Sequence, residues 1–247
     1  MSRLVYGLHP LRERLRRGRS EISALWVDEG RARRDAELEA LLAKLPAEVT
    51  PQRVPREQLE LICGSSSHQG VVAAVGDYPY VDLEGLLEGD AVEATPALLL
   101  VVDGVTDPQN LGAMLRSALV FGASGVVLTR DRCASITPTV VRVSSGASEH
   151  LRCARVTNLS RALEKLKELG VWIVGTVERG GEHPARIDLR VPCALVLGSE
   201  GKGMRPNVKK HCDLLLTLPA AGPIGALNVA AATTAAFYEA ARQRSSR

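Results

Sequence analysis

Ala97-Leu-Leu-Leu-Val-Val-Asp-Gly-Val-Thr-Asp-Pro-Gln-Asn-Leu-Gly-Ala-Met-Leu-Arg116 passes from a strand pattern through a loop to a helix pattern. Its first residues, Ala97–Val102, form an unbroken apolar run, which suits a strand buried on both faces. From Leu111 to Phe121 the spacing becomes helical. The same alternation continues downstream. Gly125–Thr129, Val171–Thr176, Cys193–Leu197 and Leu214–Leu218 read as strands, and Leu159–Leu169 and Leu227–Arg244 as helices. Gly170 suits the end of the first helix, and the basic residues in the last turn of the second complement its dipole. Strands alternating with helices predict an α/β fold with a largely parallel sheet covered by helices on both faces. Ligands of such sheets lie outside the carboxyl ends of the strands. The chemistry is therefore expected in the loops after Val102, Thr176, Leu197 and Leu218.

Upstream the pattern predicts a smaller α/β unit over residues 1–76. Pro10–Arg17 reads as a short helix with Leu11 and Leu15 four apart, and Ser23–Val27 as a strand. Asp35–Leu45 reads as a helix with Leu38, Leu41, Leu42 and Leu45 on one face, stopped by Pro46. Val71–Val75 reads as a compact strand after the turn-rich Gly64-Ser-Ser-Ser67. Residues 77–96 then gather acids, Pro79, Pro96, Gly85, Gly89 and a short helical turn at Leu83–Leu87. They read as an acidic linker, which leaves residues 97–247 as the second domain.

The 247 residues fit one large domain or two small ones, and 24% charged with 45% apolar residues are globular proportions. No apolar stretch approaches the roughly 20 residues of a membrane helix, and the opening MSRLVYGLHP has no signal-peptide core. Five cysteines without a C-x-x-C pair argue against a disulfide scaffold and a structural zinc site, so no metal and no membrane partner is expected. Reduced thiols in a cytoplasm are the simplest setting.

The net charge of +3 hides three zones. Residues 1–60 hold 12 Lys and Arg against 10 acids, residues 61–115 none against 8, and residues 116–247 19 against 10. A strongly basic half beside an acidic stretch suggests a surface that faces a polyanion. Arg12, Arg14, Arg16, Arg17 and Arg19 crowd into eight residues, either as a solvated helix face or as a nucleic-acid surface. With only 3% aromatic residues, RNA contact would rest on phosphates and shape rather than on stacked bases.

Three loops carry candidate chemistry. In Asp103–Arg116, Asn110 and Gly112 stand where a helix opens and Arg116 follows six residues after Asn110. This is either a capped helix start with a surface charge, or an anion site of free N–H groups plus a guanidinium. Gly198-Ser-Glu-Gly-Lys-Gly203 fits neither the P-loop nor the dinucleotide fingerprint. Its glycines allow either a flexible turn or a close approach to a ligand, and Glu200 favours a cationic or neutral one. Pro219–Asn228 is mostly small and apolar. It either packs on the core or walls a flat, apolar-faced ligand such as an adenine ring.

Together, D-P-x-N-L-G-A-x-x-R at Asp107–Arg116, A-L-V-L-G-S-E-G-K-G-M at Ala194–Met204 and L-P-x-x-G-x-x-x-x-L-N-V at Leu218–Val229 resemble, in order, the three motifs of the SpoU/TrmH family. These are RNA 2′-O-ribose methyltransferases with the SPOUT fold, which ends in a trefoil knot. Val5-Tyr-Gly-Leu-His-Pro10 and His68-Gln-Gly70 resemble the edges of the family's N-terminal substrate-binding domain, which is similar to a kink-turn-binding ribosomal protein. Asp131–Ser135, Thr137-Pro-Thr139, Gly146–His150 and Val156-Thr-Asn-Leu159 bring the chain nearest to the branch that methylates a guanosine of large-subunit 23S rRNA.

The resemblance implies S-adenosylmethionine as cofactor, RNA as substrate and a homodimer. It implies that Arg116 orients or deprotonates the ribose 2′-hydroxyl, that Asn110 positions the target nucleotide, and that Glu200 sits in a catalytic loop. Gly198, Leu218 and Leu227 would touch the cofactor, with Thr176 and Asn228 nearby, while Arg12, Arg14, Arg16 and Arg17 would meet RNA. Ala226 and Ala230 stand where the family usually carries serines. That departure leaves open an RNA-binding assembly protein with weak turnover, and the first 75 residues leave open a tRNA or other rRNA substrate.

Overall fold

The computed structural model describes residues 3–18, 21–88, 95–223 and 225–245. Arg19 of the arginine stretch, Gly89 of the acidic segment and the very end of the chain lie outside them. The described residues form two compact units. One holds the N-terminal residues to Pro79 together with Ile136–His150, and the other holds Tyr80–Ser135 and Leu151 onward.

The first unit is built on a sheet of order β1-β4-β2-β3, with β1 at Arg3–Tyr6, β2 at Ile22–Asp28, β3 at Gln52–Val54 and β4 at Val71–Val75. β4 is antiparallel to both β1 and β2, and β3 is parallel to β2. β4 pairs on both edges and is buried along its whole length, as its unbroken apolar sequence requires. β2 alternates instead, with Leu25 and Val27 inside. Its last residue, Asp28, caps the short α2 (Glu29–Ala32), and Asp35 caps α3 (Ala36–Leu42) by accepting from the N–H groups of Glu37 and Leu38. α3 buries Leu38 and Leu41 and ends before Leu45. α1 (Leu8–Arg16) and α4 (Arg56–Cys63) complete the N-terminal part, and Gly64 closes α4 in the left-handed conformation, φ 67°.

Residues 136–150, expected in the second domain, belong to this first unit. They carry α6 (Pro138–Val143), capped by Thr137, and α7 (Ala147–His150); α5 (Pro108–Val120) lies in the second unit. A side chain at Gly146, φ 85°, would press on Glu13 and Pro10 of α1. Glu149 is fully buried and accepts from Arg3 Nη2 at 2.9 Å and Arg14 Nη1 at 3.0 Å. Tyr78 lies under the Arg3 guanidinium, 5.2 Å from it, and donates its hydroxyl to Ser148 O. These contacts correct one expectation. Arg14 is only 4% exposed and its guanidinium is held by Glu149 and Glu21 O, so it serves the core of the unit rather than an RNA surface. Arg12 pairs with Glu37 and Arg16 with Glu13, while Arg17 reaches His150 O from an exposed position.

The second unit contains a fully parallel sheet of order β10-β8-β9-β5-β6-β7. Its strands are β5 (Leu98–Asp103), β6 (Gly125–Thr129), β7 (Arg152–Val156), β8 (Trp172–Thr176), β9 (Cys193–Gly198) and β10 (Leu214–Leu216). Central β5 is buried at all its residues, as the apolar run predicts. Edge strand β7 was not legible, because Arg152 and Arg155 break its alternation, which an edge tolerates. The helices are α5 (Pro108–Val120), α8 (Leu159–Glu168), α9 (Pro206–Lys210) and α10 (Val229–Ser245). Asp107 caps α5 with Pro108 in its first turn, and Asn158 caps α8. The segment read as an acidic linker is packed where described. Val81 runs parallel beside Ala154 of β7, and Leu86 is fully buried in the main core.

Replacing Glu149 with Ala leaves the buried Arg3 and Arg14 guanidiniums without their shared carboxylate. Equilibrium urea unfolding is expected to register a loss of about 3–5 kcal/mol, the usual cost of removing one partner of a buried ion pair.

Candidate active site

The sheet order places β10, β8, β9 and β5 side by side, so their carboxyl-end loops converge. Register fixes the details: Asp103 lies beside Gly198, and Thr176 beside Leu216. Thr176 Oγ1 donates to Val196 O at 3.0 Å, which ties β8 to β9 just below the loops.

The loop after β9 folds back on itself. Ser199 N–H donates to Gly203 O at 3.2 Å, and Gly203 N–H donates to Ser199 O at 2.8 Å. A Cβ on Gly198 would collide with the backbone of Gly203 and Met204, so only glycine permits this closure. Gly203 itself has φ 62°. The fold-back is anchored below by Asp103. Its carboxylate, fully buried, accepts from Arg205 N–H at 2.8 Å and from Arg205 Nε at 2.7 Å.

A cavity of about 800 Å³ opens between the loops after β8, β9 and β10. Thr176, Gly198, Leu218, Leu227 and Asn228 all line it, as does Glu200. Asn110 and Arg116 do not, but Asn110 is joined to it. Asn228 Nδ2 donates to Asn110 Oδ1 at 3.0 Å and also to Glu200 Oε1, while its own Oδ1 accepts from Ala230 N–H at 2.9 Å and caps α10. One side-chain amide therefore links all three loops. Arg116 is exposed on α5 with no hydrogen-bond or ion-pair partner among the described residues.

The size and lining suit a ligand with an apolar ring and charged ends. Leu218, Pro219, Ala226 and Leu227 supply apolar wall, the Gly198 turn supplies closely approaching backbone, and Glu178 and Glu200 stand near Arg179 and Lys202 to meet both signs of charge. That donor set fits S-adenosylmethionine, which carries adenine, a sulfonium and an aminocarboxylate. Two thiols lie close to the site, and burial pushes both Cys133 and Cys212 up to about 11. Both remain protonated at neutral pH and supply no thiolate.

The sequence profile described as the SpoU rRNA Methylase family matches residues 97–238, the span that holds all three loops. The chain belongs to this family. A second profile, described as RNA 2′-O ribose methyltransferase substrate binding, matches residues 4–81. The chain is 43% identical to the 23S rRNA (guanosine-2′-O-)-methyltransferase RlmB of Pseudomonas putida, over 97% of this chain and 96% of that protein. It is 40% identical to the putative TrmH family tRNA/rRNA methyltransferase YacO of Bacillus subtilis, over 97% and 95%. Among solved structures it is similar to the SpoU methyltransferase AviRb of Streptomyces viridochromogenes in complex with AdoMet. There the TM-score is 0.82 and the identity 28%, over 99% of this chain and 91% of that one.

Within the SpoU site, sequence reasoning missed the Asp103–Arg205 pair. Its one trace in the sequence was the acid that ends the β5 run. It also missed that Ala230, noted for the serine it lacks, works through its backbone N–H.

Asn228→Ala is expected to lower unfolding stability by about 1 kcal/mol through loss of the α10 cap. It should lower methyl transfer further than that stability loss explains, because Asn110 and Glu200 lose their common donor. Urea unfolding and a tritiated-methyl assay on the same preparation separate the two effects.

Proposed function

We propose that this chain transfers the methyl group of S-adenosylmethionine to the ribose 2′-hydroxyl of a guanosine in 23S rRNA. The observation that carries the reading is Asn228, which binds Asn110, Glu200 and the start of α10 at the rim of the 800 Å³ cavity. The cofactor, when bound, supplies an electrophilic methyl group on a sulfonium. Gly198, Leu218 and Leu227 hold it through backbone and apolar contact, with Thr176 and Asn228 at the edge. Asn110 positions the target nucleotide. Its carbonyl oxygen is already engaged by Asn228, which fixes the amide plane and leaves its own N–H groups to donate.

Arg116 acts as a cation. Its guanidinium carries N–H donors and no acceptor, so it is not the group that takes the proton. It therefore holds an RNA phosphate or the developing alkoxide, and the 2′-hydroxyl proton passes to Glu200 or to water. Ala226 lines the cavity and Ala230 gives only its N–H, so orienting work that a serine hydroxyl could share falls on the Asn228 network.

RNA recognition falls to the first unit, with Arg12, Arg16 and Arg17 as phosphate contacts and with the proposed likeness to a kink-turn-binding ribosomal protein. Its four-stranded mixed sheet flanked by helices supports that likeness. The trefoil knot is part of the same reading. In its support, the chain leaves β10 at the sheet edge, returns across the carboxyl ends to meet Asn110, and then packs α10 on α5 and β9. A homodimer is proposed through the outer face of α5 and α10. There Val120 is 70% and Tyr238 56% exposed, beside the edge-to-face pair of Phe121 and Tyr238. A substrate in 23S rRNA supports the reading of a cytoplasmic protein.

Mass-spectrometric mapping of ribose methylation in a deletion strain tests the reaction. Loss of one 2′-O-methylguanosine from 23S rRNA is expected. Loss from tRNA alone would move the substrate there, and no loss from either would leave an RNA-binding assembly protein. Arg116→Ala is expected to abolish transfer while cofactor affinity, measured by calorimetry, stays near wild type. Arg116→Lys keeps the charge but loses the guanidinium fork, and should cost roughly ten- to a hundredfold in turnover, on the order of 1.5–3 kcal/mol. Sedimentation at micromolar concentration should show a dimer.

A further inference from the structure

Several cations of the second unit are engaged within the protein: Arg190 by Asp188, Arg242 by Glu239, Lys167 by Asp213, and Arg152 and Arg244 by backbone carbonyls. Two at the carboxyl end of β6 are not. Arg130 and Arg132 are exposed, and neither side chain has a hydrogen-bond or ion-pair partner among the described residues. With no partner to offset them, both present positive charge to solvent at this edge.

Arg205 gives that pair an anchor. Its Nε and backbone N–H are both held by the buried Asp103, which fixes the guanidinium plane through one edge. Neither Nη group has a described partner, and the side chain is 44% exposed. A guanidinium oriented by a buried carboxylate and open at its Nη edge is preorganised for a bidentate anion, because the entropy of holding the fork is already spent. Asp103 is neutralised by the same contact and does not repel that anion.

The three arginines share one neighbourhood. A Cβ on Gly104, next to Asp103, would lie 3.7 Å from Ser199 Cβ and 4.0 Å from Arg132 O, so the loops after β5, β6 and β9 touch there. Arg155 stiffens the β6 side. Its Nη2 donates to Arg130 O at 3.4 Å, and its guanidinium lies 5.1 Å from the Tyr80 ring centre. Arg132 has φ 59°, which an arginine adopts only where the loop dictates it. Asp131, also exposed, is the one acid between Arg130 and Arg132, and it leaves the cluster with a net positive charge. Arg130, Arg132, Arg155 and Arg205 do not line the 800 Å³ cavity.

We infer that Arg205, with Arg130 and Arg132, binds a backbone phosphate of the RNA substrate beside the cofactor cavity, and that Asp103 is the positioning residue that aims Arg205. The inference rests on the reading of RNA as substrate. It adds a site for the RNA backbone on the methyltransferase unit itself, apart from the first unit's arginines. A phosphate held here fixes the RNA backbone beside the cavity, and proximity of that kind carries much of the rate in a transfer reaction.

The test uses the full-length protein and an unmodified 23S rRNA fragment spanning the methylated guanosine. Arg130→Gln with Arg132→Gln removes two exposed, unpaired cations and leaves the described internal packing around those side chains untouched. The double variant is expected to bind the fragment at least tenfold more weakly. Its slope of log K against log salt should fall by about 1.4–1.8, at roughly 0.7–0.9 for each phosphate no longer neutralised. Its S-adenosylmethionine affinity by calorimetry should equal that of wild type. Arg205→Lys keeps the charge but loses the Nε anchor, and should raise KM for RNA several-fold. Asp103→Asn should do the same with a shallower salt slope, which a purely structural change would not alter. If wild type binds the fragment and methylates it while the double variant keeps wild-type affinity and slope, the phosphate site is overturned. If wild type itself neither binds nor methylates the fragment, the reading of RNA as substrate falls, and the site falls with it.

Discussion

Asp103 is a carboxylate buried at the end of the central strand, and a buried charge must be paired and fully hydrogen-bonded or it destabilises the fold. Arg205 satisfies it twice, through backbone and side chain. The consequence reaches past the pair itself. Because β5 and β9 are adjacent in the sheet, with Asp103 beside Gly198, this contact closes the loop from Ser199 to Met204 as a rigid turn over the end of β9. The wall of the cavity and the orientation of Arg205 both follow from it.

The second organising contact is softer. Asn228 is a neutral amide at an exposed rim, and its donor bridges Asn110 and Glu200 while its acceptor starts α10. Such a link costs little to break, unlike the buried ion pair. The same residue therefore holds the three loops in register before substrate arrives and can yield hydrogen bonds to it. A rigid base carrying an adjustable rim suits a site that must admit a large polyanion and then exclude water.

Charge is distributed along the same division. In the first unit the arginines of α1 are partly consumed by structure: Arg14 supports Glu149 inside, whereas Arg17 remains exposed. In the second unit Arg190 and Arg242 are paired with acids, whereas Arg130 and Arg132 beside the site are bare. A net charge of +3 is small for an RNA-binding protein. Where the unpaired cations stand therefore matters more than the total.

Most of the second unit is legible in the sequence, because its signals are local. The apolar run at Leu98–Val102, the Asp107 cap before Pro108, the glycines around Glu200 and the small residues before Asn228 each state a strand, a helix start or a turn without reference to distant residues. Their order was enough to suggest the family and to name Thr176, Gly198, Leu218, Leu227 and Asn228, which then line one cavity. The acidic segment misled because its acids conceal Val81 and Leu86, which the core takes up. Only the tertiary structure decided what each charge does. Arg14 and Arg16 are two residues apart and read alike, yet one is buried on Glu149 and the other stays exposed, since a helix turns them to different faces. Likewise, Asp103 and Arg205 are 102 residues apart, and no local pattern announces that they meet. Pairing between distant charges depends on which strands lie side by side, and that is settled by packing rather than by spacing in the chain.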